Sequence, residues 1–338
     1  MRKLCIGIAG LGRLGKIHAG NIANRIRGAE LTAACSIVPA ELEYAKDELG
    51  VKNVYLDYRE MVKDPNIDAV VIVTTSREHC WQIEAALDAG KHVFCEKPLG
   101  VDVEQCRQAE AAVEKHPESI FMLGFMRRYD RSYTYAKQKI ERGEIGIPYL
   151  VKATGIDPEN LVEGAINFAK TSGGIFLDMA IHDIDLMRWF LGANVTEVYA
   201  MGATFKYPAF QSAGDDETGL AIYRFDNGAM GVIHVGRTAP YGYHVETEIV
   251  GTEGTIRISP VPEKNLARIY NHDGVLTECV GAFPERFAEA YLLEMEEFVN
   301  CALTGQTPGV SVYDGTESTR IGYATTQAWK QRKKVTIT

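Results

Sequence analysis

Residues 5–15 read CIGIAGLGRLG, a short apolar run followed by three glycines in the spacing G-x-G-x-x-G. The apolar run predicts a buried strand, and the pattern over 14–28 predicts a helix. In that setting the first glycine permits a tight turn, the second leaves room for a pyrophosphate, and the third lets helix and strand pack closely. The helix N-terminus offers unpaired N–H groups to the phosphates. We therefore predict a dinucleotide site formed by Gly10, Gly12, Arg13, Leu14 and Gly15.

The segments that follow alternate between strand and helix patterns. Runs such as AVVIV at 69–73 and HVFCE at 92–96 lack polar alternation, which is typical of parallel strands covered on both faces. Helical patterns lie between these runs, at 40–49, 78–90 and 102–115. The sum predicts an N-terminal doubly wound α/β domain of the Rossmann type over residues 1–124.

The pattern changes after about residue 125. Strand-like segments then dominate, and the Asn-Gly dipeptide at 227–228 predicts a hairpin between two of them. Helical patterns return at 284–304 and 314–331. We predict a second, α+β domain over 125–338, built on a mostly antiparallel, open-faced sheet.

Composition narrows the class of protein. The chain of 338 residues is 46% hydrophobic and 24% charged, an ordinary globular profile. Its net charge of −9 argues against nucleic-acid binding, which needs a basic face. Seven cysteines without a closely spaced pair indicate reduced thiols and a cytoplasmic location. The longest aliphatic runs have strand length, so we expect no membrane span.

The residue after the second predicted strand bears on the choice between NAD and NADP. An acidic residue at this point holds the ribose diol of NAD, whereas a basic neighbour accommodates a 2′-phosphate. This chain has Ser36 there, with Glu41 nearby and no Lys or Arg in the turn. Ser36 can hydrogen-bond either cofactor, but a 2′-phosphate would lack a charge partner. We expect NAD and leave NADP open.

Polar residues also follow the fourth predicted strand, in TTSREH at 74–79. Thr74, Thr75 and Ser76 fall at the carboxyl edge of the sheet, where a cofactor lies in such folds. N-capping of the next helix is the alternative role for their hydroxyls. His79 can reach a ribose or, equally, serve the helix terminus.

The fifth predicted strand ends in Glu96, Lys97 and Pro98. Charged side chains directly after a buried strand are costly unless they are paired or used. We predict that Glu96 and Lys97 face the cofactor crevice and that Lys97 stabilises the alkoxide of a substrate hydroxyl. A surface lysine is the alternative. A cis bond before Pro98 is possible.

The stretch GGIFLDMAIHDIDLMRWFLG at 173–192 predicts one buried helix carrying Asp178, His182 and Asp185 on a single face. An Asp one turn before a His can fix its tautomer, which suits His182 for general-base work. A satisfied polar network is one alternative. A divalent metal site is another, but no fourth ligand is evident, so we expect no metal.

These motifs together resemble the glucose–fructose oxidoreductase/inositol dehydrogenase (Gfo/Idh/MocA) family of NAD(P)-dependent oxidoreductases, over essentially the whole chain. The resemblance is carried by AGLGRLG, TTSREH, EKP, GFMRRYD and DMAIHDID. Within the family, the chain is most similar to the inositol 2-dehydrogenases. This implies that Lys97, Asp178 and His182 catalyse oxidation of one ring hydroxyl of a cyclic polyol, with hydride passing to the nicotinamide.

The resemblance also implies a substrate site. Its residues are Lys97, Arg127, Asp157, Asp178, His182, Asp185, Tyr241 and Tyr243. Gly155 and Met179 stand where some myo-inositol enzymes carry polar residues, which favours scyllo-inositol or a related sugar. Family members assemble through the second-domain sheet, so we expect a homotetramer.

Other functions remain open from sequence. The same family resemblance allows a different sugar dehydrogenase or a glycosidase that uses bound NAD for transient oxidation. A non-enzymatic dinucleotide sensor would have no need for Lys97, Asp178 and His182 together.

Overall fold

The computed structural model describes residues 2–337, which form two compact units. The first contains the residues up to Tyr129 together with Glu289–Thr319, and the second contains Asp130–Ala288 and the residues from Arg320 onward. Across residues 2–337, no helix combines the length and the apolar character needed to cross a membrane.

The first unit is built on the predicted parallel sheet. Six strands run in the order β3-β2-β1-β4-β5-β6, and all neighbours are parallel. The order reverses between β1 and β4, so a crevice opens beyond the carboxyl ends of these two strands. The strands are β1 (Leu4–Ala9), β2 (Ala29–Cys35), β3 (Asn53–Tyr55), β4 (Ala69–Ile72), β5 (His92–Glu96) and β6 (Phe121–Gly124).

The predicted helices of this unit are present, and their ends follow local rules. The Asp102 carboxylate accepts the Gln105 amide at 2.8 Å as an N-cap, and Gly90 follows its helix with a φ of +70°, as expected of a C-terminal glycine. The helices are α1 (Arg13–Asn24), α2 (Pro39–Asp47), α3 (Tyr58–Val62), α4 (His79–Asp88), α5 (Val103–Lys115) and a 3₁₀ turn (Met126–Tyr129). The short α3 was not predicted.

The structure differs from the predicted domain division in two respects. Residues 125–129 and residues 289–319 belong to the first unit, whereas the sequence pattern placed everything after 124 in the second. For residues 289–319 the cause is the apolar face of α12 (Ala288–Thr304). Its residues Met295, Phe298 and Val299 join the buried core of the parallel sheet, which includes Ile6 and Phe94.

The second unit carries the predicted open sheet. Seven strands run in the order β12-β11-β7-β10-β9-β8-β15, and every neighbouring pair is antiparallel except β7 and β10. Asn227 and Gly228 form the predicted hairpin turn between β9 and β10. The strands are β7 (Pro148–Pro158), β8 (Val195–Ala203), β9 (Thr218–Phe225), β10 (Met230–Ala239), β11 (His244–Gly251), β12 (Thr255–Ile258) and β15 (Val335–Thr336), with a separate pair, β13 (Ile269–Asn271) and β14 (Gly274–Leu276).

The remaining helices include two corrections. The pattern at 284–304 is two helices, α11 and α12, separated at Phe287, and the pattern at 173–191 is likewise divided. The helices are α6 (Arg131–Glu141), α7 (Val162–Ala169), α8 (Ile175–Asp178), α9 (Ile181–Leu191), α10 (Ala209–Ser212), α11 (Phe283–Arg286), α13 (Val312–Gln331) and a 3₁₀ turn (Glu159–Leu161).

A carboxyl group, Glu294 on α12, lies fully buried in the first unit, with an exposed fraction of 0%. Its Oε1 is 4.0 Å from His18 Nε2, and no residue within 2–337 donates a hydrogen bond to either of its oxygens. His18 Nε2 is 2.7 Å from the Glu96 carboxylate. Burial, and to a smaller extent the negative charge of Glu96, raise the pKa of Glu294 well above its usual range. Both effects favour the neutral form of the Glu294 carboxyl group.

We expect Glu294→Gln to fold and to be at least as stable as the wild type at neutral pH. An acid whose pKa is raised by folding stabilises the fold fully below its unfolded pKa of about 4.3, and this contribution is lost as the pH rises through the folded pKa. The amide has no such dependence. Between the unfolded and the folded pKa of Glu294, the ratio of the wild-type unfolding constant to that of Glu294→Gln should rise by up to about tenfold per pH unit.

Urea unfolding of both proteins between about pH 5 and pH 8 measures this ratio. Glu289→Gln, at an exposed position of the same helix, is the matched control and should follow the wild type. Parallel curves for Glu294→Gln and the wild type would show that Glu294 is ionised in the fold.

Candidate active site

The three glycines of the turn after β1 differ in what the fold requires of them. Gly10 has a φ of +89°, and a Cβ there would lie 2.4 Å from the Val73 carbonyl oxygen. A Cβ on Gly15 would lie 2.0 Å from the Gly10 carbonyl oxygen. Gly12 has an ordinary φ of −64° and caps α1, and a Cβ there would meet nothing within 4 Å. The fold itself therefore requires the first and third glycines, while Gly12 keeps space open at the N-terminus of α1, as a pyrophosphate site needs.

Ser36 follows β2 and holds an acidic group at the predicted ribose edge. Its Oγ donates to Glu41 Oε2 at 2.6 Å and accepts the Val38 amide at 3.0 Å. The carboxylate absent from position 36 is thus supplied by Glu41. A 2′-phosphate would meet a like charge here, which favours NAD.

The polar segment after β4 is organised by side-chain contacts. Thr74 donates to Gln82 Oε1 at 2.6 Å. The α4 N-cap is Glu78, which makes no side-chain cap bond, so the hydroxyls of Thr75 and Ser76 do not cap this helix. Thr75 is exposed and Ser76 half-buried, as cofactor contacts would require. That role stays a prediction.

His79 joins the loops that follow two neighbouring strands. It is 1% exposed, with Nδ1 2.8 Å from the Pro98 carbonyl oxygen and Nε2 3.2 Å from that of Thr74. Burial lowers the pKa of His79, and its bonds to the Pro98 and Thr74 carbonyl oxygens oppose that shift. The ribose contact of His79 stays a prediction.

The turn after β5 presents Lys97 and turns Glu96 inward. Glu96 is 4% exposed. Its Oε1 faces His18, and its Oε2 accepts the Lys97 amide at 3.1 Å. The Lys97–Pro98 bond is cis, as the sequence allowed. Glu96 therefore fixes the backbone of Lys97, and the Lys97 side chain is only partly buried.

The predicted helix over 173–191 is not continuous. One turn, α8, ends at Asp178, and α9 begins at Ile181, because the Ala180 amide reaches back five residues to the Ile175 carbonyl at 3.3 Å. The prediction of one continuous helix was therefore wrong: Asp178 ends α8, whereas His182 and Asp185 lie on α9. His182 and Asp185 are buried on α9, at 8% and 1% exposure.

The structure adds two residues that the sequence did not indicate, Arg237, which bonds Asp178, and Asp215, which bonds Arg237. Arg237 on β10 donates from Nη1 to Asp178 Oδ2 at 3.1 Å, and from Nη2 to Asp215 Oδ2 at 3.2 Å. The only sequence signal for Arg237 is a charge inside a strand pattern. Asp215 gives no local signal.

Comparison with known proteins agrees with this arrangement. Residues 4–125 match the family model for the oxidoreductase family with an NAD-binding Rossmann fold, and residues 133–257 match the GFO/IDH/MocA C-terminal domain. A scyllo-inositol 2-dehydrogenase (NAD(+)) of Bacillus subtilis is 37% identical, covering 98% of this chain and 95% of that one. The chain belongs to the Gfo/Idh/MocA oxidoreductase family.

Two solved structures are similar over almost their full length. Scyllo-inositol dehydrogenase of Lactobacillus casei, solved with bound NAD(H) and scyllo-inositol, is 47% identical with a TM-score of 0.97, and 99% of each chain is covered. Myo-inositol 2-dehydrogenase of Lactobacillus plantarum is 40% identical with a TM-score of 0.97, and 100% of each chain is covered. The first unit of this oxidoreductase is accordingly its NAD-binding domain.

The remaining predicted substrate residues of this oxidoreductase are distributed over both units. Arg127, 4% exposed, lies in the 3₁₀ turn after β6 in the NAD-binding domain. In the second unit, Asp157 precedes the last residue of β7. Tyr241 and Tyr243 flank Gly242, whose φ is +132°. Tyr241 is half exposed with its hydroxyl 2.9 Å from His244 Nδ1, whereas Tyr243 is buried against Phe287.

We expect Gly12→Ala to fold normally and to lose NAD affinity by at least about tenfold, or ~1.4 kcal/mol. The added methyl group meets no protein atom, but it occupies the space for the pyrophosphate. Titration calorimetry gives the NAD dissociation constant, and thermal unfolding without cofactor reports on the fold.

Gly20→Ala is the matched control, because Gly20 lies on the same helix and a Cβ there also meets nothing within 4 Å. It should bind NAD as the wild type does. Equal affinity in Gly12→Ala and Gly20→Ala would contradict the assignment of Gly12 to the cofactor.

Proposed function

We propose that this oxidoreductase is an NAD-dependent inositol 2-dehydrogenase, which oxidises one ring hydroxyl of scyllo-inositol, or of myo-inositol, to the ketone. The observation that carries the proposal is 47% identity over 99% of the chain to an enzyme solved with NAD(H) and scyllo-inositol. The side chains of Lys97 and Asp178 suit this chemistry. Glu96 bonds the Lys97 amide, and Arg237 bonds the Asp178 carboxylate.

Each catalytic side chain has one task in the proposed reaction. His182 takes the proton of the reacting hydroxyl as general base, and Asp178 orients the ring and stabilises its imidazolium form. Lys97 donates a hydrogen bond to the oxygen on which negative charge develops. Bound NAD supplies the hydride acceptor.

A cyclic polyol is the substrate class that suits the remaining residues. Asp157 and Asp185 can accept hydrogen bonds from ring hydroxyls, and Arg127 can donate them, each strengthened by a full charge. Tyr241 is the more accessible of the two tyrosines. Gly155 and Met179 add no polar group, which supports scyllo-inositol as the preferred isomer.

The exposed face of the second-unit sheet supports assembly into a homotetramer. Tyr199 and Met201 on β8 pair with Ile222 and Leu220 on β9. The exposed fraction of these four side chains ranges from 36% to 61%, and a contiguous apolar face of this kind is normally covered by a partner. All seven cysteines are free thiols, which supports a reducing, cytoplasmic compartment.

We expect NADH formation from scyllo-inositol, and more weakly from myo-inositol, when both are tested with chiro-inositol, glucose and xylose against NAD and NADP. Absorbance of the reduced nicotinamide is the measurement. NADP should react poorly because Ser36 holds the negative charge of Glu41 at the predicted ribose edge, where a 2′-phosphate would be repelled. Turnover with glucose or xylose alone would make the protein a different sugar dehydrogenase. Tightly held NAD without net reduction by any polyol would favour the glycosidase.

Lys97→Met should lower kcat by at least about 100-fold while the NAD dissociation constant changes little, because the methionine keeps the length of the chain and removes the donor. Steady-state kinetics and NAD titration separate the two effects. Lys91→Met is unsuitable as a control because the buried Lys91 amine donates hydrogen bonds to two backbone carbonyl oxygens. Lys115→Met, at an exposed helix end, serves instead. A Lys97→Met enzyme with full kcat would remove Lys97 from the mechanism.

A further inference from the structure

A closed set of buried interactions surrounds the one-turn helix α8. Asp215 Oδ1 accepts the Ile175 amide at 2.9 Å, at the start of α8. Arg237 bonds the other oxygen of Asp215 at 3.2 Å, and its second nitrogen bonds Asp178, at the end of α8, at 3.1 Å. Both ends of α8 are thus tied to one ion pair, which we call the Asp215–Arg237 clamp.

The clamp is deeply buried. The side chains of Arg237 and Asp215 are 2% and 1% exposed, and that of Asp178 is 16% exposed. Burial raises the pKa of Asp215, while the Arg237 charge and the Ile175 amide oppose that shift. A buried guanidinium is always charged, so it keeps a negative partner on each side.

We propose that Arg237, anchored by Asp215, is a positioning residue for the dehydrogenase reaction: it fixes the Asp178 carboxylate for its work on His182. This inference rests on the proposed function. A four-residue helix has little stability of its own, so its last residue needs an external partner to hold a defined orientation. The guanidinium occupies Oδ2 of Asp178 and leaves Oδ1 to other partners.

In this proposal the clamp also contributes to the charge around His182, which follows Asp178 by four residues in the chain. Arg237 faces Asp178 from α8 and Asp215 from the segment before β9, and α9 adds Asp183 and Asp185 beside His182. Removing the Arg237 cation makes these surroundings more negative, which favours the imidazolium and raises the pH at which His182 loses its proton. Removing the Asp215 charge acts in the opposite direction.

The test compares Arg237→Met, Arg237→Lys and Asp215→Asn. We expect Arg237→Met to lower kcat about 10- to 100-fold, since a displacement of about 1 Å can cost about 100-fold in rate, with NAD affinity unchanged. The acidic limb of the pH profile of kcat should shift to higher pH by roughly half a pH unit in Arg237→Met and to lower pH in Asp215→Asn. Arg237→Lys should restore the limb but only part of kcat, because it keeps the charge and loses the fork.

Arg286→Met is the matched control. Arg286 makes a comparable forked pair with Asp130, at 2.6 and 3.4 Å, and its loss should leave both kcat and the pH limb unchanged. A purely structural role for Arg237 predicts lower stability with an unmoved limb, or limbs that move the same way in Arg237→Met and Asp215→Asn. Either result would overturn the proposal.

Hydrogen exchange separates this proposal from the proposed function. The peptide covering 175–182 should exchange faster in Arg237→Met than in Arg286→Met or the wild type. If the wild type oxidises no polyol, the proposed function fails, and unchanged exchange in Arg237→Met would then overturn the positioning role as well. An active wild type with unchanged exchange and kcat in Arg237→Met overturns the positioning role alone.

Discussion

The contact on which the NAD-binding domain depends is the approach of α1 to the turn after β1. Only a glycine at position 15 allows the helix to come so close to the Gly10 carbonyl oxygen, since a Cβ would lie 2.0 Å from it. That approach directs the first amides of α1 at the crevice between β1 and β4. Gly12 leaves open space at the N-terminus of the same helix, so one turn combines the close packing with the predicted pyrophosphate site.

Buried charged side chains hold both of the proposed catalytic segments. Glu96 accepts a hydrogen bond from the Lys97 amide and contacts His18, and Arg237 donates one to Asp178. Burying an unpaired charge is costly, whereas a fully paired one has few alternative arrangements. The side chains that we propose to react are therefore positioned by buried interactions, which is the condition that preorganised catalysis requires.

Local sequence rules predicted most of the fold because its determinants are local. The glycine spacing, the uninterrupted β-branched runs and the Asn-Gly turn each act within a few residues, and the structure confirms them. The residues that hold Asp178 were missed because they are distant from it in the chain. Arg237 lies 59 residues from Asp178, and Asp215 lies 22 from Arg237, and no periodicity connects them. The same holds for α12, whose apolar face gives no sign of which sheet it covers.

The sequence singled out polar residues that lie in motifs. The structure adds buried charged residues that lie outside them. Asp178 and Glu96 were visible because charges interrupt apolar patterns. Arg237 and Asp215 are also buried and charged, and they act through the residues that they bond. Few side-chain positions satisfy a buried charge. The position of its ion-pair partner is therefore restricted as strongly as that of a packed core residue. The proposed chemistry thus depends on long-range ion pairs, while the location of the predicted cofactor site depends on short-range turn geometry.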